Sequence, residues 1–150
     1  MLKTVALAAA LGLSGFAASA QDFYLGIGLD STQSATDQTG VSLMAGTRFG
    51  QQQLSYGAEV DYTMSSGAFD AARLRGLVHN DLGKLDLFAA LGLSNFALDG
   101  GGSATGLNYG LGAEFAVNDR MGLRVEAIKD QMPGYGSNPF SIRAGVTFGF

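Results

Sequence analysis

Glu59 and Asp61 stand eight and six residues before Gly67, and Arg73 and Arg75 stand six and eight after it. If Gly67 lies in the turn of a hairpin, each acid faces a base across the two strands. Val60, Tyr62, Ala72 and Leu74 then share the opposite face, because side chains alternate along a strand. A second hairpin repeats the pattern, with Glu114 and Arg124 equally spaced about Asp119 and Glu126 near level with Arg143 on the following strand. The chemistry on offer is charge pairing. Carboxylates and guanidiniums that leave bulk water must be matched, so these eight residues are expected to form a packing and register network, not a catalytic site.

Other reactive residues are sparse. His79 is the single histidine and lies in LVHNDLG beside a turn signal with no adjacent serine. Acyl chemistry needs a base and a nucleophile held together, so His79 is read as a turn or rim residue and no enzymatic activity is expected. A chain with no cysteine, one histidine and no Asp-x-Asp-x-Asp-Gly loop offers no metal site. The Gly-x-Gly pairs in YLGIGLD and YGLGAEF lack the third glycine and the helix of a dinucleotide site. No cofactor is expected. With a net charge of −4 and no basic run, neither is nucleic acid.

The elements that must position the network follow from a hydrophobic period of two. Eight strands are expected at residues 22–30, 40–49, 53–64, 69–80, 84–96, 105–117, 120–129 and 140–150, each long enough to cross a bilayer when tilted. Short links (Gln51-Gln52, 80–83, Asn118-Asp119) alternate with longer ones at 31–40, 65–68, 99–104 and 130–139. That is the pattern of an up-and-down barrel, with short turns at one end and loops at the other. One face of every strand is apolar, as in Leu25, Ile27 and Leu29 or Leu87, Ala89 and Leu91. The other face is small or ionic and carries all three glutamates and five of the six arginines.

Two solvents fit such a pattern. A soluble secreted barrel or sandwich binding a small ligand would bury the apolar face; a membrane barrel would turn it to lipid. Many glycines and few lysines favour the membrane, since a narrow barrel must fill its interior with small residues around a few large ones. The ionic face must then point inward. One arginine at the lipid midplane costs roughly 2–4 kcal/mol, and five would exceed the ~5–15 kcal/mol that stabilise a domain. Aromatics are expected in two interfacial belts: Phe23, Phe49, Tyr56, Phe115, Phe148 and Phe150 at the turn ends, and Tyr62, Phe69, Phe96 and Phe140 at the loop ends. Residues 1–20, with Lys3, an apolar run and Ala18-Ser19-Ala20, read as a secretory signal peptide, leaving 21–150 as one domain.

The signal segment, the eight-strand pattern and the final FSIRAGVTFGF resemble the small bacterial outer-membrane β-barrels, in particular the OmpX-like and OmpA-transmembrane-like group of porin-family or opacity-type surface proteins. The resemblance implies an eight-stranded antiparallel transmembrane barrel in the bacterial outer membrane. It also implies contact with outer-membrane lipid including lipopolysaccharide, and a monomeric state. In that group the closing strand is read by the barrel-assembly machinery, a role that falls here on Phe148 and Phe150. Some barrels of this shape are lipid A deacylases or palmitoyltransferases, but a structural or surface-interaction role with a lumen closed by ion pairs is expected here. A small-solute or ion channel is the alternative. The resemblance stops at the barrel, and no cell-wall tether is expected.

Overall fold

A computed structural model describes residues 22–50 and 53–150. The expected signal peptide and the Gln51-Gln52 link lie outside the described residues.

Eight strands run β1 Asp22–Gln33, β2 Gln38–Phe49, β3 Leu54–Ser65, β4 Phe69–Asp81, β5 Leu85–Leu98, β6 Ser103–Asn118, β7 Met121–Gln131 and β8 Phe140–Gly149. Each pairs antiparallel with its sequence neighbour, and β8 returns to β1, so the sheet closes into a barrel. Closure removes the two free edges that an open sheet would expose. The turn end holds residues 82–84, where Gly83 takes φ +94° and its N–H donates to Asp81 Oδ1 at 2.7 Å. Only glycine reaches that conformation without strain.

The strands run further at the loop end than their composition suggests. Residues 31–33 and 38–39, expected in a long loop, are polar, yet they keep the two-residue alternation. They continue the ladder to the pair Thr32 and Gln38, both buried. The β1–β2, β3–β4 and β5–β6 links are therefore short, and 132–139 is the long connection among those described.

Alternation sorts the side chains. Leu91 and Leu111 point outward and are 64 % and 69 % exposed, amid a belt of similarly exposed Leu, Ile and Val. The outward-phased charges on the described strands are Asp70 and Lys129, both at the loop-end rim. The lumen is filled. Tyr24 lies over Gly46 and Phe88 over Gly112, each ring occupying the space that a β-carbon on its cross-strand partner would take. Leu77 and Ala90 pack with Phe88. An inner face of small and ionic residues alone, as the composition suggests, leaves out these inward aromatics. A large ring opposite a glycine satisfies the width of a narrow barrel, and that complementarity depends on the exact cross-strand register.

Candidate functional site: the lumen and its two mouths

The four acid–base pairs fall in register: Glu59 opposite Arg75, Asp61 opposite Arg73, Glu114 opposite Arg124 and Glu126 opposite Arg143. The contacts are broader than the pairs. Glu59 accepts from Arg75, from Arg124 Nη1 at 2.6 Å and from the Tyr24 hydroxyl at 2.6 Å. Arg75 and Arg124 also share Glu126, at 3.2 and 3.0 Å to Oε2. Above them Asp61 accepts from Arg73 at 3.2 Å and from Arg143 at 2.9 Å. Arg73 reaches across the lumen to Asp130 at 2.9 Å, and Arg143 meets its register partner Asp30 on the neighbouring strand β1, also at 2.9 Å. Neither Asp30 nor Asp130 stands out in the sequence, because their partners lie on strands far from them in the chain. Glu126 and Arg143, expected to pair, are 4.0 Å apart at closest, since Asp30 and Asp61 hold the guanidinium.

Glu114 departs from expectation more clearly. It is level with Arg124 but makes no ion pair within 4 Å among the described residues. Arg124 instead turns inward to Glu59 and Glu126, with its guanidinium carbon 4.2 Å from the centre of the Phe88 ring. The Glu114 side chain lies over Gly122, half-exposed at the turn-end mouth. Register places two Cα atoms side by side, while the deeper acids, less screened by water, take the guanidinium.

The turn end opens as a vestibule of about 770 Å³ lined by Tyr24, Arg48, His79, Glu114 and Arg124 among others. His79 is buried at its inner wall, and its Nδ1 lies 2.7 Å from Asp86 Oδ2, which also pairs with Arg48. Arg48 Nη2 lies 2.9 Å from the same Nδ1, so guanidinium and carboxylate together fix the ring. Ser55 is the register partner of His79, but no described serine hydroxyl hydrogen-bonds to the imidazole. The cluster can pin the barrel wall.

The loop end is closed. Phe69 and Phe96, expected in the outer aromatic belt, point inward and stack with centroids 4.0 Å apart and planes 8° apart. Their parity is that of Arg73 and Ser94, not of Leu74 and Leu93, so height along the strand alone assigns them to the wrong face. Tyr135 meets both edge-on at 5.1 and 5.8 Å, and Met132 and Ala104 complete the cluster. Tyr62 does stay on the outer face, its hydroxyl donating to Asp70 at 3.0 Å.

No family model matches the chain, and no curated protein matches it in sequence. Solved structures match its backbone. The attachment invasion locus protein Ail of Yersinia pestis, in complex with the heparin analogue sucrose octasulfate, aligns with a TM-score of 0.65. The alignment covers 86 % of this chain and 98 % of that one at 14 % identity. Neisserial surface protein A aligns with a TM-score of 0.60 over 85 % and 95 % of the two chains, also at 14 % identity. The outer membrane enzyme PagL gives 0.51 over 82 % and 98 %, at 14 % identity, so barrels of this shape include an enzyme. With its strands closed in sequence order and its apolar face outward, the chain has the fold of the small eight-stranded outer-membrane β-barrels.

Proposed function

We propose that the protein is an integral barrel of a bacterial outer membrane, with a structural or surface-interaction role and no enzymatic one. The observation that carries this reading is the inversion of its faces. A closed barrel shows its apolar residues outward while Glu59, Arg75, Arg124, Glu126 and Arg143 are almost wholly buried inside. A soluble barrel or sandwich would place that apolar belt in its core. Strands of 10 to 16 residues meet or exceed the roughly 9–11 needed to cross a bilayer. The links at the loop end face the cell exterior in this reading, and the lumen network serves as mortar for the wall.

Refolding residues 21–150 into detergent micelles and comparing gel mobility with and without boiling tests this directly. The expected result is a compact, β-rich form that shifts on heating. A folded monomer in plain buffer, with no shift, would mean that the apolar face is covered by protein, and the membrane reading would fail.

The same reading assigns recognition by the barrel-assembly machinery to the closing strand, supported by the outward, exposed rings of Phe148 and Phe150, the latter 76 % exposed. Phe150→Ser should lower the amount of barrel in the outer membrane several-fold while leaving refolding in detergent intact. Equal loss in both settings would make Phe150 a packing residue only.

A further inference from the structure

The plug at the loop end has two sources. Phe69 and Phe96 belong to the barrel wall, whereas Met132 and Tyr135 come from the 132–139 connection. That strap is held by its own hairpin. Tyr135 N–H donates to Met132 O at 3.0 Å, Met132 N–H to Asn138 Oδ1 at 3.0 Å, Lys129 Nζ to Asn138 O at 2.6 Å, and Asp130 N–H to Pro139 O at 3.0 Å. Among the described residues it makes no hydrogen bond to any other strand. Apart from the bonds to Lys129 and Asp130 of β7 at its base, apolar contact seats it on the wall, so its tip can lift without breaking the ladder between strands.

One inner-face step beneath Phe96 the lumen is polar and acidic. Ser94 donates to Asp130, and Asn108 donates to Ser94 at 3.0 Å. Asp30, Asp61 and Asp130 stand here against Arg73 and Arg143, with Arg75 from below 3.4 Å from Asp61. With Glu59, Glu126 and Arg124 included, five carboxylates meet four guanidiniums, an excess of one negative charge. Asp30 Oδ2, Asp61 Oδ2 and Asn108 Oδ1 are buried without a hydrogen-bond partner among the described residues, three acceptors against the one unpartnered donor of this layer, Arg143 Nη1. An apolar plug over unsatisfied acceptors keeps ions and bulk water from groups that would bind them.

We propose that residues 132–139 form a hinged lid, with Met132 and Tyr135 as its removable stopper, over an acidic layer that admits small cations when the lid lifts. The proposal rests on the membrane-barrel reading only for which side is outside; the lid itself can be tested in micelles.

The chain has no cysteine, so a thiol placed by Ser94→Cys is a clean probe. The refolded barrel is labelled with a quaternary-ammonium thiosulfonate and, separately, with a sulfonate-bearing one. Protection is expected with the native lid. Met132→Ala with Tyr135→Ala should raise the labelling rate about tenfold or more, because truncating a buried anchor and the half-buried ring beside it weakens the closed state. The cationic reagent should then outpace the anionic one by roughly tenfold, from the local field.

Equal rates with both lids in a barrel that still shifts on heating would overturn the lid and leave the membrane reading standing. Equal or faster labelling by the anionic reagent would overturn the cation preference. If the double variant yields no heat-shifting band, Asn138→Ala, which only loosens the strap, is judged by the same rates.

Discussion

Arg75→Ala should cost the barrel about 3–5 kcal/mol, the penalty for removing one partner from a buried ion pair. Arg75 is almost fully buried and touches Glu59, Glu126 and, at 3.4 Å, Asp61. Its loss leaves three carboxylates sharing Arg73, Arg124 and Arg143. Asp61 keeps Arg73 and Arg143, while Glu59 and Glu126 are left to share Arg124, so no group is wholly stranded, but the excess negative charge of the lumen doubles from one to two. Urea unfolding in micelles, followed by circular dichroism, reads the effect. The double replacement Glu59→Gln with Arg75→Met should recover part of the loss, because it removes a charge of each sign and keeps the volume. A shift below about 1 kcal/mol for Arg75→Ala would place it in the class of solvent-exposed pairs and show that water reaches the network freely.

The Arg75 pairing is legible in the chain because it is local. Glu59 and Arg75 are joined by one tight hairpin, so equal spacing about Gly67 is enough to fix their register. The same logic places Glu114 level with Arg124, yet side chains of that length choose among every charge within reach. Arg124 turns to Glu59 on a strand 65 residues away in sequence. Asp130 is illegible for the same reason, as its arginine comes from across the barrel, and Asp30 because its partner Arg143 becomes a neighbour only when β8 closes on β1. Alternation gives the face of Leu91 or Arg73 because their neighbours carry an unbroken pattern. Phe69 and Phe96 sit at strand ends, where an aromatic suits either a membrane interface or a plug. Only counting parity back to Arg73 and Ser94 decides between them. The long loop expected at 31–40 shrinks because Thr32 and Gln38 are polar residues in a polar lumen: in an inside-out barrel, hydrophilicity does not mark a loop.

Leu91→Arg should cost roughly 2–4 kcal/mol when the protein is folded in phospholipid vesicles, as expected for a cation at the midplane on the lipid face. Leu91 lies near the middle of β5, points outward and has Gly76 and Tyr109 as its register neighbours. No outward-facing carboxylate lies nearby on the described strands, since Asp70 stands at the rim. The guanidinium must therefore stretch to the interface or draw water in. Leu54→Arg supplies the control. Leu54 opens β3 at the turn end and is also exposed, where the same change should cost only about 0–1 kcal/mol. The contrast between the two sites carries more than either value. Both positions are outward and aliphatic, so a protein surrounded by water would tolerate both within about 0.5 kcal/mol. A barrel whose apolar belt packs against another protein would be hurt wherever that partner sits, without regard to depth. Only a lipid solvent grades the penalty from rim to midplane.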